Sequence, residues 1–325
     1  SPAARASYTY LNLADETVAI DWPIPLAEAI VSDADRAHPR LADVSPMAPR
    51  RTVITGAGGQ LGRALVALLP DATALDRDDL DLTDADAVAR FDWAGVGTII
   101  NAAAWTAVDA AETDEGRRGA WSGNVDAVAH LVGVCREHRI TLVHVSSDYV
   151  FDGQTEVHTE DEPVAPLGVY GVTKATADAL VQTLPDHYIV RTSWVIGEGR
   201  NFVRTMADLA RRGIEPSVVD DQYGRLTFTT TLADGIQHLL QARPAPGIYN
   251  LTNSGPTRSW FDIAREVFTL VGADPETVSR QTTADFAAGK VMSPRPRHST
   301  LDLTKIQATG FTPPDADEAL RAYLS

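Results

Sequence analysis

Between residues 50 and 195 the chain alternates short apolar runs with longer segments whose apolar positions recur every three to four residues. The runs at 51–55, 72–75, 96–100 and 141–145 are short and rich in β-branched residues, which predicts buried strands. The segments at 65–69 and from about Arg117 to His138 have helical spacing. In the second, Val125, Val128, Leu131, Val132 and Cys135 share one side. Strand–helix alternation predicts a mostly parallel sheet covered on both faces. The expected fold class is therefore α/β, a Rossmann-type doubly wound sheet. Beyond about residue 195 the pattern is less regular. Helical stretches at 201–211, 231–241 and 259–271 are separated by short strands such as Ile248-Tyr249-Asn250. They predict a smaller C-terminal substrate-binding lobe over roughly 196–325, beside a cofactor-binding part over roughly 50–195.

The first predicted strand runs into Gly56-Ala57-Gly58-Gly59-Gln60-Leu61-Gly62 and then a helix. Strand, glycine loop and helix form the context of a dinucleotide-binding fingerprint. Gly56 suits the tight turn, Gly59 close approach of backbone to a pyrophosphate, and Gly62 close packing of the helix. The helix N-terminus then offers unpaired N–H groups to phosphate. Asp76 follows the second strand, twenty residues after Gly56, where an acid meets ribose hydroxyls. Arg77 beside it suits a 2′-phosphate instead, so NADPH and NADH both stay open. Asp81 with Leu82 lies one loop further on, at an adenine contact. Each acid alone also reads as a solvated turn residue.

Tyr170 and Lys174 are four apart, hence on one face of a helix. An ammonium next to a phenol favours phenolate and is expected to lower the tyrosine pKa from about 10 toward neutrality. Ser147 emerges from the end of the fourth strand, where ligands sit in open α/β sheets. A serine hydroxyl, a phenol and an ammonium suit hydride transfer to or from a carbonyl.

The chain has 325 residues, 44% of them hydrophobic, enough for a substantial core. Its formal charge of −16 argues against nucleic acid or an anionic membrane as partner. An anionic nucleotide-sugar would have to be met by local positive groups. Cys135 is the one cysteine and reads as core, and the eight histidines show no metal-ligand spacing. Trp260 and Phe261 read as packing residues. No secretory or spanning segment is found, so a cytoplasmic protein is expected.

The strings Gly56 to Gly62, Asn101 to Asp109, Ser147-Asp148-Tyr149-Val150-Phe151, Val169-Tyr170-Gly171-Val172-Thr173-Lys174, Arg191-Thr192-Ser193-Trp194-Val195, Asp221-Gln222-Tyr223-Gly224 and Arg295-Pro296 resemble the extended short-chain dehydrogenase/reductase family. The Arg-Thr-Ser-Trp and Asp-Gln-Tyr-Gly stretches narrow the resemblance to its dTDP-4-dehydrorhamnose reductases. It covers roughly residues 50 to 325. It implies reduction of the C4 ketone of a dTDP-sugar by NADPH or NADH. Tyr170 would be the proton donor, Lys174 a ribose-binding group, and Ser147 the orienting hydroxyl. Asp148 and Trp194 would contact the sugar. Gly59, Gln60, Leu61, Asp76, Asp81, Leu82, Ala104, Trp105 and Thr106 would contact the cofactor. Trp105 stands where the family has histidine or tyrosine, keeping an aromatic wall without the polar tip. Gln222 and Arg225 are candidates for thymidine or phosphate, and Arg295 and Arg297 for diphosphate. Some relatives dimerise through Mg²⁺ held by a glutamate just after the third glycine. Here Arg63-Ala64 stands there, so no metal is expected and the oligomeric state stays open. Two other readings remain: a different sugar-nucleotide oxidoreductase or epimerase, and a non-catalytic cofactor-binding regulatory subunit.

The chain opens with Ser, and its first Met is Met47, just before the reductase-like stretch at Ala48-Pro49-Arg50. The preceding segment, with Ala19-Ile20-Asp21-Trp22-Pro23-Ile24-Pro25, resembles the C-terminal tail of dTDP-4-dehydrorhamnose 3,5-epimerases. It is expected to be an extension over 1–49, left from a longer bifunctional protein or matching a separate epimerase partner. At that length it cannot bury an independent core, and no epimerase activity is expected of it.

Overall fold

The computed structural model describes residues 10–44 and 50–325. The chain divides into two compact units, Ser1–Pro49 and Arg50–Ser325. The boundary expected at Met47, Ala48 and Pro49 lies outside the described residues.

In the first unit, polar side chains hold the backbone. Asn12 Nδ2 donates to the carbonyls of Arg36 (2.9 Å) and His38 (3.0 Å). Asp15 Oδ2 accepts from Leu41 N–H at 2.6 Å, and that bond leads in holding its carboxyl below the usual range. Among the described residues of this unit Asp15 is the buried one, while Ile20, Trp22, Ile24 and Ile30 are exposed. Among its described residues the segment has one helical turn, Asp33–Arg36, and a 3₁₀ turn, Leu41–Asp43.

The second unit is built on six strands: β1 (Arg51–Thr55), β2 (Thr73–Leu75), β3 (Val96–Asn101), β4 (Thr141–Ser147), β5 (His187–Thr192) and β6 (Gly247–Asn250). Their spatial order is β6-β5-β4-β3-β1-β2, and every neighbouring pair is parallel. Successive strand residues point to opposite faces. Val53, Ile99, Leu142 and Ile189 enter one core with α2 (Ala85–Arg90), α4 (Ala127–His138) and α5 (Val169–Val181). Ile54, Ile100, Val143 and Val190 enter the opposite core with α1 (Gln60–Leu68) and α7 (Thr229–Ala242). Both faces are thus covered, as an all-parallel sheet requires. Cys135 sits in the first core, where burial pushes its thiol up to about 12.

A third core gathers α6 (Phe202–Arg211), α8 (Trp260–Leu270) and the last helix, Ala316–Leu324, around Val203, Phe228, Phe261 and Phe268. The helices begin where polar caps stand. Asn201 caps α6, and Ser259 with Asp262 forms a capping box on α8. Two features differ from the sequence reading. Ile248-Tyr249-Asn250, expected in the smaller lobe, is β6 and pairs with β5 at the sheet edge. The helix expected from Arg117 to His138 starts at Asp114 as α3 (Asp114–Trp121) and reaches α4 through a π turn, Ser122–Asp126. Such a turn adds one residue to the helix and turns a side chain out of the regular row. No helix among the described residues is long and apolar enough to cross a membrane.

β1 has β2 on one side and β3 on the other, so the chain winds in opposite directions from it. The crevice at the carboxyl ends of β1 and β3 is the topological switch point, where ligands of such sheets bind.

Candidate active site

The glycine loop closes this crevice. Gly56 has φ +71°, and a Cβ there would lie 2.6 Å from Ala103 N, so backbone from β1 and β3 meets with no side chain between. A Cβ on Gly62 would lie 2.0 Å from Gly56 O, which fixes the close seat of α1 against the loop. Gly59 caps α1 without a side-chain bond, leaving first-turn N–H groups open. A cavity of about 410 Å³ extends from here, lined by Gly56, Gly59, Asp76, Asp81, Leu82 and Trp105, among others. The Asp76 carboxylate lies against Gly58, since a Cβ there would be 2.3 Å from Oδ2. Arg77 pairs with Asp81 at 3.3 Å, and the Thr83 hydroxyl and N–H lead in lowering the Asp81 carboxyl.

A second cavity of about 410 Å³ shares Gly59, Ala102 and Ala104 with the first. Gln60, Leu61, Thr106, Ser147, Asp148, Tyr170, Lys174 and Trp194 line it. The residues expected from sequence at the cofactor, catalytic and sugar positions therefore border two adjoining cavities, with Gly62 behind them as a packing residue. Gln60 also accepts from Gly197 N–H at 2.9 Å, tying α1 to the loop after β5.

Tyr170 and Lys174 are both buried on one side of α5, yet the expected electrostatic coupling is not what the structure shows. Burial pushes the Tyr170 phenol up to about 12, with the Ser147 hydroxyl opposing and Asp148 and Asp178 adding to the rise. Lys174 Nζ donates to the Val145 carbonyl at 2.7 Å, and burial pulls it down to about 8 against the pull of Asp178. The reason is geometric. Spacing puts both residues on one helical face, but β4 presents a carbonyl to the longer side chain. Ser147 Oγ donates to Asp148 Oδ1 at 3.0 Å and accepts from Tyr149 N–H. Burial raises the Asp148 carboxyl to about 6, with Ser299 and Ser147 opposing.

Trp194 sits in the left-handed region with φ +46°, uncommon for a bulky side chain. Its indole stacks on Trp260 at 3.7 Å, and Gly224 lies against it. Trp260 is thus the packing residue that supports Trp194. The expected diphosphate and nucleoside contacts are placed differently. Arg295 bonds both carboxylate oxygens of Asp109, at 2.8 and 2.9 Å. Arg225 donates to the Leu301 carbonyl, and Gln222 donates to Thr283 Oγ1. These three, and Arg297, lie outside the linings of both cavities.

Several residues at the site escaped the sequence reading. Asn124, in the π turn, accepts from Trp105 N–H at 2.8 Å and donates to the Trp105 carbonyl and Thr173 Oγ1. One buried amide so joins the loop after β3 to α5. Its signal was the helix-poor Ser122-Gly123-Asn124 inside a helical pattern. Glu112 accepts from Val169 N–H and Ser293 Oγ, both at 2.9 Å, docking the 293–295 segment at the start of α5. Among the described residues no group of His, Cys, Asp and Glu is arranged to hold a metal.

A doubly wound sheet with a glycine loop at its switch point and a Ser, Tyr and Lys lining the adjoining cavity defines a dinucleotide-dependent oxidoreductase of the extended short-chain dehydrogenase/reductase type. The family model described as RmlD substrate binding domain matches residues 50–325, and the chain belongs to that family. It is similar to a dTDP-4-dehydrorhamnose reductase of Streptomyces griseus, 41% identical over 284 residues, covering 83% of this chain and 91% of that protein. It is 43% identical over 272 residues to a Streptomyces antibioticus protein named "Probable dTDP-4,6-dihydroxy-2-methyloxan-3-one 4-ketoreductase", covering 81% and 90%. Among solved structures, a Bacillus anthracis dTDP-4-dehydrorhamnose reductase in complex with NADP superposes with TM-score 0.78 at 32% identity, covering 85% of this chain and 99% of that one.

Proposed function

We propose that this chain reduces the C4 ketone of dTDP-4-dehydro-6-deoxy-L-mannose (dTDP-L-lyxo-4-hexulose) to dTDP-L-rhamnose, using NADPH or NADH. The observation that carries the reading is the adjoining pair of cavities, with Ser147, Tyr170 and Lys174 in one and the glycine loop and Asp76 in the other. The open N–H groups of the first turn of α1 suit a pyrophosphate. Asp76 and Asp81 suit the adenosine end.

When bound, the reduced dinucleotide supplies two electrons and a hydrogen to C4 of the sugar. The carbonyl oxygen then gains negative charge, and Tyr170 Oη gives its proton to that oxygen. With its phenol raised to about 12, Tyr170 holds this proton throughout the neutral range. Ser147 orients the same oxygen through its hydroxyl. Lys174 offers N–H donors to ribose hydroxyls. Asp148 and Trp194 border the sugar. On this reading residues 50–195 mainly hold the cofactor and 196–325 mainly the nucleotide-sugar. The ketoreductase name of the Streptomyces antibioticus relative favours, as a second reading, another dTDP-linked 4-keto sugar as substrate.

Oxidation of NADPH and of NADH is to be followed with dTDP-4-keto-6-deoxyglucose, with and without a separate 3,5-epimerase. Oxidation that requires the epimerase, with dTDP-L-rhamnose as product by NMR, is the expected result. Oxidation without it, giving an unepimerised product, would establish the second reading. No oxidation in either case would overturn both in favour of a binding subunit.

A further inference from the structure

A polar chain runs through the sheet behind Lys174. Thr55 at the end of β1 donates from Oγ1 to Asn101 Oδ1 at 2.8 Å. Asn101 at the end of β3 lies with Nδ2 3.1 Å from His144 Nδ1. His144, in β4, has its Nε2 3.4 Å from Lys174 Nζ. Thr55, Asn101, His144 and Lys174 are at most 2% exposed.

The direction of these bonds follows from one backbone group. Ala103 N–H donates to Asn101 Oδ1 at 3.2 Å, and a backbone N–H has no other role available. Oδ1 is therefore the accepting end of the amide, and Nδ2 donates to His144 Nδ1. A neutral imidazole that accepts at Nδ1 carries its proton on Nε2, the atom facing Lys174. An imidazolium would set a second N–H against the Asn101 amide. Burial first and Lys174 second accordingly hold His144 well below the usual histidine range.

We propose that His144 is a positioning residue for Lys174, a neutral ring locked as the Nε2–H tautomer by Thr55, Asn101 and the Ala103 N–H. Its N–H dipole points at Nζ, which opposes the ammonium and favours loss of a proton, while the Val145 carbonyl at 2.7 Å keeps the side chain against β4. On α5, Tyr170 precedes Lys174 by one turn and Asp178 follows it. Asp178 is paired at 3.1 Å with Arg191 of β5. Asp148 and Tyr149 follow β4, and Glu112 sits at the start of α5. Against α4 the helix packs through apolar side chains, including Leu131, Ala177 and Val181. Asp178 raises the proton affinity of Lys174 and burial lowers it; on the proposal the His144 N–H adds to the lowering.

The inference rests on the proposed role of Lys174, and its test has a readout that needs no turnover. In full-length protein with isotope-labelled histidine, ring-nitrogen NMR reports the tautomer directly. The His144 signal is assigned by comparison with His144→Met or, where that does not fold, His144→Gln. The expected result is a neutral Nε2–H ring that does not titrate from about pH 6 to about pH 9. An Nδ1–H tautomer, or titration in that range, would overturn the proposal. In kinetics, His144→Met removes the donor facing Nζ. The alkaline limb of kcat/KM for the dinucleotide, which reports the free enzyme, is then expected to move up by about half a pH unit or more. A merely structural role would lower the plateau or the Tm and leave the limb in place, and that outcome would also overturn it. An inactive wild-type enzyme would defeat the reductase reading, while the NMR result would still decide the tautomer.

Discussion

Lys174 Nζ donates to the Val145 carbonyl at 2.7 Å, while Tyr170, four residues earlier on the same helix, has the Ser147 hydroxyl as its neighbour. The two residues share a face of α5 and work through different strand-end groups. The phenol is held protonated by burial, and the lysine is drawn back onto β4. This arrangement gives Tyr170 the proton and Lys174 the adjustable charge.

Tyr170→Phe keeps the ring that meets Tyr149 edge-on at 5.5 Å and removes only the acid. A fall in kcat/KM of about 10²–10⁴ is expected, with dinucleotide affinity unchanged by titration calorimetry. Undiminished turnover in this variant would remove Tyr170 as the proton donor.

Asp148 gives a stability prediction with a definite sign. Its folded pKa of about 6 lies above the ordinary 3.8, so the folded state binds more protons between those values. Stability therefore falls as pH rises through that window, and above it the buried carboxylate costs on the order of 3 kcal/mol. Asp148→Asn is expected to raise the Tm at neutral pH, to show no gain at pH below the ordinary value, and to raise KM for the sugar nucleotide. Equal Tm gains at both ends of the range would show that the carboxylate is not the cause.

Gly224→Ala would put a Cβ 2.8 Å from the Trp194 ring. Trp194 is held between that glycine and Trp260, so the indole must shift. Loss of about tenfold or more in kcat/KM for the sugar is expected, with dinucleotide binding retained. Wild-type kinetics in this variant would mean that the place of Trp194 does not matter to the reaction.

Asn124→Ala leaves Trp105 N–H and Thr173 Oγ1 without their buried partner. A loss of about 2–4 kcal/mol in unfolding free energy is expected, together with weaker dinucleotide binding through the displaced Trp105 loop. Denaturant unfolding and a binding titration check the two effects separately.

The strand–glycine loop–helix unit was legible because its signals are local: a β-branched run, glycines at fixed spacing and an apolar stripe. Ser147, Tyr170 and Lys174 could be brought together from sequence because strand ends and helix faces obey simple periodicities. The sheet edge was not legible, since Gly247–Asn250 is four residues long and its partner β5 lies far away in the chain. Nor was the π turn, because three helix-poor residues inside a strong helical pattern read as noise until Asn124 has partners. The polarity behind Lys174 was hidden for another reason. Asn101 and His144 interrupt apolar strands singly, and only the fold stacks them in line.

The proposed reaction is transfer of hydrogen to C4 of a dTDP-linked sugar at the Tyr170 site. Its most direct test uses reduced dinucleotide carrying deuterium at the transferring position, the 4-keto sugar nucleotide prepared with a separate 3,5-epimerase, and NMR of the product. Deuterium is expected on C4 of dTDP-L-rhamnose, with the rate of label transfer lowered by about 10²–10⁴ in Tyr170→Phe. Oxidised dinucleotide without deuterium at C4, or label transfer at an undiminished rate in Tyr170→Phe, would contradict it.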